Sequence, residues 1–372
     1  MANRIRAARL EREWSQTRLI AELERVAARR GARLPSRETL KSRVSRWENQ
    51  HATPDDFYRP LLREALGLDD RELGFESGTA EPVGAAVDEL KLRLNVEPTA
   101  NENLLAALHA QTEATRLQDR QFGAGILLEQ MRNHVANIEH HLSHSVFEAA
   151  RRPLARELSD AASLAGWQAL DVLSIDSAWR LFQTASSAAR QAGDATMYAF
   201  ARMEQAHVVA EIAGHSAAAQ MAETVWEETN QVVCPAVQCW MAAATAEFAA
   251  EAGDTRLALG RLLRAESSAD ALKGAVPPYL VFDGTHLDRW IGHTLVILGD
   301  KAAEEQLRVA GAKMDGSFTR AAASLNLDLA TVLLRRGEKE EATHLLLRGE
   351  QLARQVSSRR QLTRARRLRA AS

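Results

Sequence analysis

Short glycine-centred breaks recur through a chain that otherwise favours helix, and this alternation limits what the chain can fold into. GW stands at 166–167, AGD at 192–194, AGHS at 213–216, AGD at 252–254, LGD at 298–300 and RGE at 336–338. From Gly166, the glycines at 214, 253, 299 and 337 follow at separations of 48, 39, 46 and 38 residues. Each follows an apolar helical stretch, and each of the last four precedes a second, alanine-rich one: 217–229, 258–272, 302–312 and 340–355. Glycine is the residue that most readily takes the left-handed conformation ending a helix. Apolar residues make up 46% of the chain, with alanine and leucine dominant and strand formers sparse, so helix is the expected element throughout. Two helices, a tight turn and repetition of the pair describe a stack of helical hairpins. The fold class predicted is all-α.

These AGD turns and Ala/Leu-rich hairpins resemble tetratricopeptide repeats, although the period is longer and less regular and the signature aromatics are only partly present. The resemblance implies a tetratricopeptide-like α-solenoid over roughly 155–355, with two further helices from 98–150 packed on its start. Stacked hairpins leave a concave wall lined by the first helix of each pair. Gln205, His286, Trp290 and Asn326 are the candidates for that wall, with Arg320 a similar one. In the stretch 279–300, Asp283, His286, Arg289, Trp290 and His293 recur at three- or four-residue steps. They fit either a repeat helix with Trp290 in the core or a ligand-contacting face.

The first fifty residues have a different grammar. Ser15 and Ser36 are placed to cap two helices by accepting backbone N–H bonds. Leu19, Leu23 and Val26 recur at helical spacing after the first cap. After the second, Leu40, Val44 and Trp47 form one apolar face, while Lys41, Ser42, Arg43, Ser45 and Arg46 fall elsewhere. Such a helix packs on one side and offers groups that bond base edges on the other. Ile5, Ala8, Arg9, Trp14, Ser15 and Gln16, together with the string VSRWEN at 44–49, resemble the helix-turn-helix of Cro/XRE-type bacterial repressors. In that family the positions of Ile5 and Ala8 are core and that of Arg9 is a surface arginine. Pro54, Phe57, Leu61, Leu62, Leu66 and Leu68 resemble its two closing helices. Gln16 and Val44 stand about twice as far apart as in the family, so the second helix is expected to run through Arg30. The resemblance implies double-stranded DNA as a partner, read by Gln16, Arg37, Lys41, Ser42, Arg43, Ser45, Arg46 and Asn49, with Gln16 and Asn49 on phosphate. A head of this type before a tetratricopeptide-like body resembles actinobacterial regulators. It implies a homodimer with a peptide, small-molecule or protein effector in the repeat groove.

The expected domains are 1–76, a DNA-binding head; 77–97, a linker and connecting helix; and 98–372, the helical body, with helical patterns resuming near Asp88 and pausing at Pro98. Charge follows this division. Residues 1–51 hold 13 Lys and Arg against 6 Asp and Glu, and residues 348–372 hold 8 against 1, while the rest of the chain is acidic. A basic head attracts phosphate and releases its counterions. The basic end fits either phosphate contact or the solvated last helix of the array.

Several function classes lack their signatures. No apolar run reaches the ~20 residues of a membrane span, and MANRIRAARLERE has no signal-peptide core, so a cytoplasmic, non-membrane protein is expected. Cys234 and Cys239 do not make a CxxC, and no HExxH occurs among His134, His140, His141 and His144, so no metal and no cofactor are expected. No phosphate-binding loop or nucleophile motif marks an enzyme. The leading reading is a sequence-specific transcriptional regulator whose body dimerises and senses an effector. The alternative is an interaction scaffold or antitoxin-like adaptor without physiological DNA binding.

Overall fold

The computed structural model describes residues 4–75 and 83–371, leaving out 31, 33, 50, 51, 56, 71 and 146, with the backbone alone for 83–101. Seventeen α-helices and no strand are present among the described residues. The chain divides into two compact units, 1–93 and 94–372. The start of the expected linker and connecting helix, 77–82, lies outside the described residues, and the rest of it, 83–97, is helical.

In the first unit, α1 (Ile5–Glu11), α2 (Gln16–Arg29), α3 (Arg37–Glu48) and α4 (Tyr58–Leu66) enclose one core. Both expected caps form. Ser15 Oγ accepts from the Arg18 N–H, and Ser36 Oγ from that of Thr39. Leu19, Leu23, Val26, Leu40, Val44 and Trp47 are all buried, and Trp47 packs its ring 4.9 Å from that of Tyr58. The two closing helices expected after Pro54 reduce to one. Beyond α4 the chain turns, and Leu73 and Phe75 fill the remaining side of the core. Phe57 is largely exposed because its neighbour Tyr58 takes the inward position.

The long helix α5 (Val83–Phe122) runs on through Pro98, where a pause was expected. α6 (Ala124–His144) follows, so 98–150 does carry two helices ahead of the hairpins. The hairpins are α7 (Glu148–Asp171) with α8 (Ile175–Ala192), α9 (Ala195–Ala213) with α10 (His215–Thr229), and α11 (Pro235–Glu251) with α12 (Thr255–Ser267). They continue as α13 (Gly284–Leu298) with α14 (Ala303–Lys313), and α15 (Thr319–Arg336) with α16 (Lys339–Gln355), before a last helix, α17 (Arg359–Ala371). Gly214, Gly253, Gly299 and Gly337 end the first helix of the last four hairpins, all at positive φ. Gly166 does not end a helix. It lies inside α7, where a Cβ would stand 2.9 Å from the Phe182 ring, so its role is close helix packing. The left-handed position that ends α7 belongs to Leu173, with φ 60°.

The array returns on itself. α17 packs against α7, and Ser358 Oγ donates to Asp171 Oδ1 at 2.6 Å. Arg320 of α15 reaches both Asp171 at 2.7 Å and Asp119 of α5 at 3.0 Å. At Gly123 the backbone comes so close to Val356 that a Cβ would meet its carbonyl oxygen at 1.9 Å. The concave wall expected of an open solenoid is thereby closed into a chamber.

Candidate functional site

Two places in the molecule gather chemistry, one in each unit. The first is the outward face of α3. By helical spacing Glu38, Lys41, Ser42, Ser45, Arg46 and Asn49 fall on the side opposite Leu40, Val44 and Trp47. All are exposed except the half-buried Ser45. Lys41 and Arg46 make no ion pair among the described residues. Arg37 and Arg43 fall on the two margins of this face. Arg37 is held by Glu24 of α2, with nitrogen–oxygen distances of 2.7 to 3.1 Å, and Arg43 lies over the Tyr58 ring at 5.1 Å. Glu38, not singled out from sequence, sits among the candidates and offers an acceptor to cytosine N4.

One expected role changes. Arg9 is not a surface arginine. It is 8% exposed and grips Glu48 through two bonds of 2.6 and 2.9 Å, while its third nitrogen donates to the Trp14 carbonyl. Gln16 donates one amide N–H to the same Glu48 at 2.8 Å, which fixes its orientation and leaves the second N–H for another acceptor. Burial alone would raise the Glu48 carboxyl, but Arg9 and Gln16 hold it below the usual range. This acid ties α1, α2 and α3 together. Asn49 caps the end of α3 and contacts Ser45 Oγ at 3.4 Å.

The second place is the chamber inside the helical body, with a volume of about 740 Å³. Its wall comes from α5, α17 and the first helix of each hairpin, α7, α9, α11, α13 and α15. His286 and Trp290 line it, as does Arg320, whose guanidinium is already neutralised by Asp119 and Asp171. Gln205 and Asn326 do not. The chamber face of α9 runs through Phe200, Glu204, His207 and Glu211, and Gln205 is turned into the core. Asn326 returns its amide to the Ala322 carbonyl of its own helix at 2.7 Å. The basic C-terminal stretch forms the last helix of the array with Arg359, Arg366 and Arg369 exposed, and in addition Arg360, Arg364 and Arg367 of α17 line the chamber.

Charge in the wall is strongly ordered. Arg364 and His293 converge on Asp328, His293 Nδ1 at 2.7 Å. Burial would raise that carboxyl, yet these partners hold it well below the ordinary range. Burial would lower His293, and Asp328 raises it instead. Burial pushes Glu204 up to about 8 and His207 down to about 4. Glu247, Glu251 and His293 bring one ligand atom each within 4.8 Å of one another and can hold a metal ion. His109, Glu113 and Asp160 do likewise, but Arg116 already neutralises Asp160. Each group has two members one turn apart on a single helix, α11 or α5, and sequence spacing hid the third, which comes from another helix. The histidines weighed from sequence are arranged otherwise. His134 is buried, with Nε2 at 3.0 Å from Thr112 Oγ1, while His140 and His144 stack on an exposed flank. Cys239 is buried, its thiol bonded to the Ala265 carbonyl and pushed up to about 11 by that burial.

No family model and no curated protein matches the chain. Among solved structures it is similar to Bacillus thuringiensis PlcR, crystallised in complex with the peptide PapR7 and DNA. Identity is 12%, the match covers 82% of this chain and 91% of that one, and the TM-score is 0.39. A likeness at this level carries no functional assignment. Among the described residues no helix is long and apolar enough to cross a membrane.

Proposed function

We propose that the protein is a sequence-specific DNA-binding transcriptional regulator. Its first unit reads duplex DNA with α3, and its helical body senses an effector in the chamber. The observation that carries this reading is the exposed face of α3. Lys41 and Arg46 stand beside Ser42 and Ser45 on a helix whose opposite face is fully buried in a small core. Arg and Lys bond the acceptor edge of guanine, and Ser reads either base type. Arg37 and Arg43 flank this face as backbone contacts, Asn49 at its end meets phosphate, and Gln16, held in place by Glu48, offers its second N–H to phosphate. A single short helix supplies modest affinity, so the functional form is a homodimer on two half-sites about one helical turn apart. The cytoplasm is the expected setting. An effector in the chamber changes operator affinity only by binding one arrangement of the protein better than another.

The test is selection of bound duplexes from a randomised pool by the full chain. The expected result is a two-fold symmetric motif enriched over several rounds. Recovery of the input pool without enrichment, at low and at moderate salt, would remove the reading and leave an interaction scaffold.

A further inference from the structure

The chamber's unused charges and its aromatic wall lie side by side. Arg320 and Arg364 are already neutralised by Asp119, Asp171 and Asp328. Arg120 and Arg289 are not. Neither makes an ion pair among the described residues, and the Nε of each is buried without a hydrogen-bond partner. Each lies near an aromatic face, Arg120 at 5.3 Å from Phe318 and Arg289 at 5.9 Å from Trp290. His286 lies within reach of both. Burial lowers its basicity and outweighs the bond between its Nδ1 and Asp283 at 2.8 Å, the two guanidinium charges acting in the same direction as burial, and its ring lies 4.5 Å from Phe318.

Beside these cations the aromatic side chains form a connected wall. Phe200 lies 5.0 Å from both Trp240 and Tyr279, Trp240 lies 6.3 Å from Trp290, and Trp290 lies 5.9 Å from Phe282. Such a wall suits either a cation or a flat apolar group. Arg289, which borders it at Trp290, repels a cation and decides for the apolar group. Size and enclosure then bound the ligand. About 740 Å³ is the volume of a pocket for one small molecule, and α17 folded back on α7 narrows the groove that an extended chain would occupy.

We infer that the chamber binds a small organic anion, a carboxylate or similar acid on a flat apolar body. Its charge sits between Arg120 and Arg289, and its body lies against Trp290, Phe282 and Trp240. This rests on the reading of the body as the effector-sensing part and gives that effector a chemical class. It explains why two partly enclosed cations, each with a buried Nε, are kept without a directly paired acid. Uncompensated buried charge destabilises a fold, and such a cost is retained where a ligand's opposite charge relieves it.

The experiment is titration of the full chain, without DNA, with indole-3-acetate, 3-methylindole and tryptamine, by calorimetry. These share one ring system and differ in charge. The expected order places indole-3-acetate at least ten-fold tighter than the neutral and cationic probes. Arg120→Gln and Arg289→Gln should each reduce that preference at least ten-fold, while the ligand-free melting temperature stays the same or rises. Arg120→Gln guards against misfolding at the more enclosed Arg289. Equal binding of all three probes, preference for tryptamine, or no binding of any at millimolar concentration would overturn the assignment. So would a preference that survives both substitutions. Because no DNA is present, loss of operator binding cannot produce any of these results. A final arm adds indole-3-acetate to the selected duplex complex and reports only whether the two sites are coupled.

Discussion

The cations of α3 and those of the chamber are treated in opposite ways. Lys41 and Arg46 stand in solvent with no ion pair among the described residues. Arg320 and Arg364 are enclosed and matched to Asp119, Asp171 and Asp328. An exposed cation costs the fold almost nothing and is free to meet a polyanion. A buried one is tolerated only with its partners, and those partners then join distant helices. Arg320 joins α15 to α5 and α7, and Arg364 joins α17 to α15. The first set is therefore available for recognition, while the second holds the ring of helices closed. Arg120 and Arg289 belong to neither set, being partly enclosed like the second and without an ion pair among the described residues like the first.

The comparison breaks most readily at Arg320. Arg320→Met leaves Asp119 and Asp171 buried without their counter-charge and should lower the stability of the helical body by about 3–5 kcal/mol. Lys41→Ala and Arg46→Ala should each stay within about 0.5 kcal/mol of the parent. Denaturant unfolding of the three variants checks both halves, and comparable losses in all three would dissolve the distinction.

Trp47 tests whether the buried side of α3 is what presents its exposed side. Trp47→Ala removes a ring that packs on Tyr58 and should cost about 3–5 kcal/mol in the first unit. DNA binding should vanish with its fold while the body's unfolding transition is unchanged. Retained melting with lost DNA binding would mean that Trp47 itself faces the duplex.

Packing within the array sets a smaller scale. Gly166→Ala drives a methyl group into the Phe182 ring and should destabilise the body by about 1–3 kcal/mol, read by thermal unfolding. No change would show that α7 and α8 have room to separate.

The smallest effect is a pH dependence. Glu204 has its carboxyl raised from 4.5 to about 8 by burial, so the fold favours its protonated form. That contribution is full below pH 4.5 and is lost as pH rises through about 8. His207, lowered from 6.5 to about 4, works the other way, giving stability above pH 6.5 that is lost as pH falls through about 4. Between pH 6.5 and 8 only Glu204 of the two acts, and stability should fall by on the order of 1 kcal/mol. Glu204→Gln should flatten this fall in melting temperature, and an unchanged slope would assign it to another group.

What the sequence revealed follows the same local-to-distant divide. The face of α3 is twelve consecutive residues at one helical period, so its buried and exposed sides were legible. The hairpins were legible because glycine marks the left-handed turn that ends most of their first helices. They were missed at α7, where Leu173 takes that conformation and Gly166 serves packing instead. Arg9 with Glu48 was not legible, since the partners lie 39 residues apart. Nor was the chamber. His286 and Trp290 stood out because aromatic and titratable residues recur on one short helix. Arg120, Glu204 and Arg360 become neighbours of that helix only when α17 folds back against α7.

DNA reading by the unpaired side chains of α3 is the step on which the proposed function depends. It is tested most directly by anisotropy titrations of the full chain on its selected duplex between about 50 and 200 mM salt. The titrations compare the parent with the Lys41→Ala/Arg46→Ala double variant. The expected result is steep salt dependence for the parent and a loss of about 1–3 kcal/mol per substitution, with melting temperature preserved. Equal affinity and equal salt dependence in the two proteins would contradict it.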